Sequence, residues 1–438
     1  MDGASGVTQC PILPGSSFIY NFTIPSDQSG TFWYHAHTGS ARADGLYGGF
    51  VVHDVAESTV PASRSYDKEV LLLVGDWYHR SASEVMSWYM RAGSFGNDPV
   101  PDSLLINGAG HFECSMAVPA RPVDCNEKHV SLSYFDIPTD TSYRLRVVNT
   151  GSLAGFTLIS EAYPMSIIGV DSVEVDPQEA HSVGVLYPGQ RMDLILHVPV
   201  QGKPSALTIK LDTECFKYPN PALNPTQKFS INPDNNAYDQ ASYPVKTNDT
   251  DLDIHKIPSP EHILALLEPH ANLTEVVYSK TQKLSINHNV PFGFFNHTSW
   301  KPQSDPPAPL NRLPSDKWDK NQLSLFVPDP ENMGPVWVDL VVNNLDDTGH
   351  PFHLHGYHFY ILNVYKAPIG WGSYNPFTES YPPGTDPETY SDTHGLNLSR
   401  AMLRDTVYIP SRGGMAMVVD VAGYLSDSSA ACPLQTII

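Results

Sequence analysis

The sequence predicts an all-β protein built of sandwiches or barrels, and three observations carry that prediction. Short segments of alternating apolar and polar residues recur along the chain. Turn formers are abundant, with 39 prolines and 30 glycines among 438 residues. Helix-like stretches are few. Alternation puts successive side chains on opposite faces, as a half-buried antiparallel strand requires, while Pro and Gly break helices and build turns. In chain order, "SFIYNFTIP" and "GTFWYHAH" read as the first strands, followed by "EVLLLVGDWY", "SYRLRVVNTG", "MDLILHVPV", "ALTIKLD", "VWVDLVVNN" and "RDTVYIP". One stretch, "EHILALLEPH", carries a helical pattern. "KPQSDPPAPLNRLPSDKW" reads as a long surface loop.

A chain of 438 residues exceeds one ordinary core, so two or three domains are expected. Junctions fall where the strand texture breaks, near "TVPASRSYD" and in "YPNPALNPTQKFSINPDNNAYDQ", dividing the chain into 1–62, 63–225 and 226–438. Apolar residues make up 41% and charged residues 17%, the balance of a folded rather than a disordered chain. The 47 acidic against 26 basic residues give a net charge of −21, which excludes nucleic acid as a partner because phosphates would be repelled. No apolar run is long enough to span a membrane.

Asn-x-Ser/Thr acceptors at Asn21, Asn248, Asn272, Asn296 and Asn397 point to an extracellular glycoprotein. Of Cys10, Cys114, Cys125, Cys215 and Cys432, the pair Cys114 and Cys125 is close enough to close a local loop by a disulfide. The opening "MDGASGVTQCPILPG" has neither a basic start nor an apolar run, so it is no signal peptide. Sequons without an export signal imply that the start of the chain is missing.

Function is most legible in the histidines. "HPFHLHGYHF" holds four of the chain's 18. On a strand, residues two apart share a face, so His35 and His37 of "WYHAHTG" form one imidazole pair and His353 and His355 of "FHLHG" another. Such pairs suit a divalent first-row metal. His350 lies at an odd offset from the second pair and would face the opposite side, letting one segment serve two metal sites. Pro351 and Gly356 bracket the run as a strand entering and leaving a rigid turn would be bracketed. His53, His79, His111, His181 and His394 are read as surface or hydrogen-bonded core residues, and His358 is not assigned to a metal. Asp346 and Asp347 are read as a solvated turn, with a second role in orienting nearby rings.

"GTFWYHAHTGSARADGLYGGFVVHD" and "DTGHPFHLHGYHFYILNV" resemble the second and third copper motifs of multicopper oxidases of the fungal laccase type. "GDWYH", "YRLRVVNTG", "PGQRMDLIL" and "RDTVYIPSRGG" resemble further landmarks of that family. The resemblance implies tandem cupredoxin-like Greek-key β-barrels and four coppers. In such proteins a type 1 copper takes electrons singly from a substrate, and a trinuclear cluster reduces dioxygen to water. By position, His350 would be a type 1 ligand, His353 a type 2 ligand, and His35, His37 and His355 ligands of the type 3 pair.

The chain also departs from the family pattern. The His-Trp-His-Gly motif expected before "MDGASGVTQC" and the His-Cys-His motif expected after "RDTVYIPSRGGMAMVVD" are not in the sequence. The first and last barrels are therefore expected to be truncated, and the chain as written is expected to be inactive, with partial or no copper. The family cysteine that Cys10 resembles bridges to a C-terminal tail, and Cys432 would not replace that partner. Asp171, in "MSIIGVDSVEVDP", falls where fungal laccases carry a carboxylate that accepts a phenol proton; the alternative is a turn residue capping a strand. Iron-oxidising relatives carry a glutamate two residues earlier, where this chain has Gly169. The resulting expectation is a secreted, monomeric, laccase-like oxidase of phenolic or related aromatic substrates with dioxygen as acceptor. The alternatives are a ferroxidase or ascorbate-oxidase-like member, and a catalytically dead copper-binding β-barrel protein.

Overall fold

The computed structural model describes residues 4–26, 28–54, 64–118, 123–125, 140–199, 205–231, 251–322, 336–366, 373–380, 382 and 398–420. They form two compact units, Pro25–Ile257, and Met1–Ile24 with Pro258–Ile438. The all-β expectation holds in both.

The Pro25–Ile257 unit contains β1 (Gly30–His35), β2 (Tyr47–Val52), β3 (Lys68–Trp77), β4 (Ser103–Ile106), β5 (Ala109–Gly110), β6 (Thr141–Asn149), β7 (Phe156–Ser160), β8 (Met165–Val170), β9 (Val173–Ala180), β10 (Ser182–Leu186), β11 (Arg191–Val198), β12 (Ser205–Leu211) and β13 (Thr226–Ile231). Its larger sheet runs β5-β4-β3-β6-β11-β8-β9 and its smaller one β10-β7-β12-β13, with β3 and β6 parallel. Alternate side chains of the two sheets meet in one core. Leu72, Leu145 and Leu194 from the first lie in the same cluster as Phe156, Ile209 and Phe229 from the second. Each such burial stabilises the unit by roughly 1.5–3 kcal/mol.

β1 and β2 form a hairpin in which His35 pairs with Tyr47. This hairpin is tied to the larger sheet by polar contacts. Thr31 Oγ1 donates to Asp193 Oδ1 at 2.6 Å, and the buried Arg146 guanidinium donates to Thr31 Oγ1 and Asp193 Oδ2. Gly30, at φ 126°, approaches Ser172 so closely that a Cβ would come within 2.7 Å of the serine Cβ.

A helix the strand texture did not announce, α1 (Ala82–Tyr89), follows β3 and opens on a capping box. Ser81 Oγ accepts from the Glu84 N–H and Glu84 Oε2 accepts from the Ser81 N–H. The four-residue signal "SASE" carries that start. The Ser81 hydroxyl, which also donates to Glu84 Oε2 at 2.8 Å, and the Ser81 N–H hold the Glu84 carboxyl below its ordinary range.

The other unit contains α2 (Glu261–Leu264), β14 (Leu273–Lys283), β15 (Pro291–Phe295), β16 (Trp337–Asn344), β17 (His350–His353), β18 (Phe359–Lys366), β19 (Met402–Arg404), β20 (Thr406–Ile409) and β21 (Gly413–Asp420). One sheet runs β15-β14-β16-β21-β18-β19, and β17 pairs with β20 in a second. Val338, Leu340, Phe352, Ile361 and Met415 fill the core.

Two expectations change. "SFIYNFTIP" forms no ladder among the described residues, and Ile19 is 86% exposed; alternation alone does not make a strand without a partner edge. The helix expected over "EHILALLEPH" closes only one turn as α2, because Ile263 is its one buried residue and Leu266 already faces solvent. The Cys114–Cys125 disulfide is present. Cys10 is a free, exposed thiol, and Cys432 lies outside the described residues.

Candidate metal centre

His35, His350 and His353 stand on short strands, and His37 and His355 lie just beyond the ends of β1 and β17. β17 is held against β20, with His350 opposite Ile409 and His353 opposite Thr406. Gly356 follows at φ 76°, the left-handed turn that ends the run. The turn before β17 is closed by Asn344, whose amide donates to the Thr348 and Pro410 carbonyls while its Oδ1 accepts from the Asp346 N–H.

Asp346 is buried within this turn rather than solvated. Its Oδ2 lies 2.8 Å from His350 Nε2 and accepts from the Thr281 N–H at 2.8 Å; its Oδ1 pairs with Lys280 Nζ at 3.2 Å. Burial alone would raise this carboxyl, but the hydrogen bonds from His350, Thr281 and Lys280 together hold it below its ordinary range. Asp347 is the exposed partner of Arg412.

The two β17 imidazoles are oriented through opposite nitrogens. His350 gives its Nε2–H to Asp346, which puts the ring lone pair on Nδ1. His353 gives its Nδ1–H to the Asp405 carbonyl at 2.8 Å, which puts its lone pair on Nε2. His355 packs edge-on to His353 with centroids 4.8 Å apart. In the hairpin of the other unit, His35 lies 3.2 Å through Nδ1 from the Ala36 carbonyl. Its ring is sandwiched by Trp33 at 4.3 Å and His37 at 4.5 Å.

This donor chemistry fits copper: imidazoles in pairs, with His35, His350 and His353 each hydrogen-bonded through one ring nitrogen to a carboxylate or carbonyl. Each pair supplies two ligands. Among the described residues, no group of three or more His, Cys, Asp or Glu side chains is close enough to hold an ion.

Asp171 occupies the tight turn between β8 and β9 at φ 51° and is fully buried. Its Oδ1 accepts from the Arg191 backbone N–H at 3.0 Å and pairs with the Arg191 guanidinium at 3.3 Å, and Arg191 Nε in turn donates to the Thr31 carbonyl. Of the histidines set aside, His79 bonds Ser103 Oγ and His181 the Ser160 carbonyl; His394 lies outside the described residues. The Asp405 carbonyl and Thr281 N–H were not foreseen, since no sequence spacing relates them to the rings they serve. Asp346 sits four residues before His350, which is the signal that could have placed it.

Three segments match family models described as multicopper oxidase: residues 1–57, 68–217 and 314–423. The chain belongs to the multicopper oxidase family, which uses copper. Among its relatives is the iron transport multicopper oxidase FET3 of Gibberella zeae, 30% identical over 84% of this chain and 54% of that protein. The iron transport multicopper oxidase FET5 of Saccharomyces cerevisiae is 28% identical over 95% of this chain and 62% of that protein. Laccase-3 of Thanatephorus cucumeris is 35% identical over 44% of this chain and 32% of that protein. The chain thus spans little more than half the length of the first two relatives. The solved structure of Fet3p, a multicopper oxidase that functions in iron import, superposes with a TM-score of 0.74 at 22% identity, covering 96% of this chain and 72% of that one. The laccase of Botrytis aclada gives 0.67 at 24%, covering 96% and 70%. Both likenesses describe the cupredoxin-like fold.

Proposed function

We propose that the whole protein is a laccase-like oxidase that removes single electrons from phenolic or related aromatic substrates and passes them to dioxygen, forming water. The observation that carries this reading is the pair of oppositely oriented rings on β17, His350 and His353, which lets one strand serve two copper positions. His35, His37 and His355 take the remaining roles that the family resemblance gives them. Copper, when bound, supplies one-electron acceptance from substrate and electron delivery to dioxygen. The chain's own residues fix the tautomers: Asp346 holds the His350 proton on Nε2, and the Asp405 carbonyl holds the His353 proton on Nδ1. Secretion, monomeric state and the three-part division at residues 62 and 225 belong to the same proposal.

A ferroxidase reading is favoured by the Gibberella and Saccharomyces relatives, both iron transport multicopper oxidases. The β8–β9 turn does not decide between the readings: Asp171, the carboxylate that the laccase reading assigns to substrate, is fully buried and paired with Arg191, while Gly169 pairs across the sheet with the exposed Glu174. Oxygen uptake by the copper-loaded protein from the full transcript, with a methoxyphenol and with ferrous ion as donors, decides between them. Faster turnover of ferrous ion at saturation of both would replace the laccase reading with the ferroxidase one.

The role of Asp346 is tested separately. Asp346→Ala is expected to weaken copper binding at His350 by about 10–100-fold, the usual effect of removing a group that orients a metal-bound ring. Competition against a chromogenic chelator measures it. Unchanged affinity would restrict Asp346 to the turn.

A further inference from the structure

Asn296 lies at the tip of the hairpin that follows β15. The Phe295 N–H donates to the Thr298 carbonyl at 2.9 Å and the Thr298 N–H returns a bond to the Phe295 carbonyl at 3.0 Å. Asn296 itself adopts φ 53°, a conformation asparagine tolerates better than most residues. Its backbone N–H donates to the Tyr278 carbonyl at 2.8 Å, and its side-chain Oδ1 accepts from the Tyr278 N–H at 2.9 Å. The side chain therefore stands in for the next residue of a strand, with its carbonyl spent. Its Nδ2 makes no hydrogen bond among the described residues.

Two other asparagines make the same clamp, and comparison shows what sets Asn296 apart. Asn107 clamps Leu73, but its Nδ2 is used on the Leu71 carbonyl, and Ala109 rather than Ser or Thr stands two residues later. Asn272 clamps Trp337 and precedes Thr274 as a sequon, but it is exposed. Asn296 combines a sequon, Asn296-His297-Thr298, with a cavity. That cavity is a solvent-open depression of about 620 Å³ lined by Lys280, Gln282, Phe294, Asn296, His297 and Leu345, with Gln282 and His297 at its exposed rim.

We propose that Asn296 carries an N-linked glycan whose first N-acetylglucosamine seats in this cavity. The apolar C–H face of the sugar lies on the Phe294 ring, and the Gln282 amide and His297 imidazole meet its hydroxyl and acetamide groups. An aromatic face flanked by polar groups suits a sugar, whose ring is apolar above and below and polar at its edge. In the modification, a bond forms between Nδ2 and the sugar C1, and the bond from C1 to a lipid-linked pyrophosphate breaks. Nδ2 loses one proton to the transferase, the lipid pyrophosphate departs with the bonding electron pair, and nothing is oxidised or reduced. The inference does not depend on the oxidase reading, since every residue it uses lies outside the proposed copper ligands.

The test uses the full chain, exported from a yeast host behind a secretion leader and collected from the medium. Asn21, Asn248, Asn272 and Asn397 are replaced by Gln so that Asn296 is the remaining acceptor. Peptide mass spectrometry after an endoglycosidase that leaves one sugar is expected to find N-acetylglucosamine on Asn296. Melting temperature is expected to be the same with the whole glycan and with that single sugar, and to be lower by about 2–4 °C in the same chain produced with lipid-linked oligosaccharide synthesis blocked by tunicamycin, which leaves the Asn296 side chain itself unchanged. In Phe294→Ala the sugar remains attached but that last difference disappears, because the two effects share one contact. An unmodified Asn296 in the secreted chain overturns the proposal. So does a temperature difference that survives Phe294→Ala, which would leave the sugar attached but unseated.

Discussion

Asp193→Ala is expected to lower the unfolding free energy of the Pro25–Ile257 unit by about 3–5 kcal/mol, the range for removing one partner of a buried ion pair. Asp193 is 5% exposed and sits on β11, between β6 and β8 inside the larger sheet. Its Oδ2 accepts from Arg144 and from Arg146, and its Oδ1 accepts from Thr31. Arg146 is only 1% exposed and has one other acidic partner, Glu69, whose Oε2 it meets through Nε at 2.8 Å. Without Asp193 the guanidinium charge keeps half its compensation, and the buried Thr31 hydroxyl loses its acceptor. The consequence reaches function through geometry, because Thr31 and His35 lie on the same short strand. Asp193→Asn keeps the shape and an acceptor oxygen, so its loss should be distinctly smaller. Urea unfolding followed by far-ultraviolet circular dichroism reads both values. Equal, small losses for the two variants would mean the network contributes packing alone. Amide exchange at Thr31–His35 should accelerate in Asp193→Ala more than exchange across β7 and β12, which the network does not touch.

That network shows where reading the sequence succeeds and where it stops. The strand period of "YRLRVVN" and "MDLILHV" places both segments as strands, since Leu145, Val147, Leu194 and Leu196 alternate toward a core. It does not reveal that Arg146 and Asp193, at partner-facing positions of neighbouring strands, are buried against a hairpin more than a hundred residues earlier. Charges in strands are read as solvent-facing unless a covering element is known, and no local pattern announces the cover. The histidine pairs were legible as neighbours from their two-residue spacing, and their rings do lie together. But β1 ends at His35 and β17 at His353, so His37 and His355 reach their partners from the turns beyond and not from a shared strand face. The groups that orient those rings were not legible, with the exception of the i, i+4 spacing of Asp346 and His350. "SFIYNFTIP" fails for the complementary reason: a strand needs a partner edge, and alternation is a property of one segment alone.

Asp76 gives the second large effect, and it separates hydrogen bonding from charge. Its Oδ1 accepts the backbone N–H groups of Ser152, Leu153 and Ala154 at 2.8, 3.1 and 3.2 Å, closing the loop after β6. Gly151 belongs to that design, because a Cβ there would run into the same oxygen. The other oxygen, Oδ2, is buried with no hydrogen-bond partner among the described residues. Burial raises this carboxyl above its ordinary range despite the three N–H donors. The nearby Arg42 guanidinium is lowered by its own burial, and Asp76 offsets part of that. Asp76→Ala strands three N–H donors, that of Ala154 buried and those of Ser152 and Leu153 half-buried, and at about 1–3 kcal/mol for each buried group a loss of about 3 kcal/mol is expected. Asp76→Asn keeps the accepting oxygen and should retain most of that stability. The sign of the pH effect follows from linkage. Above about pH 4, where the unfolded carboxyl ionises, the native state still holds its proton, so it binds more protons than the unfolded state. Stability therefore falls as pH rises through the window up to the raised native pKa, and then levels. In Asp76→Asn that falling segment should vanish, leaving a flatter profile that converges on the parent at low pH. Urea midpoints taken in steps across that window test it. A variant whose profile falls as steeply as the parent's would show that Asp76 is ionised in the folded protein, with Arg42 as its counter-ion.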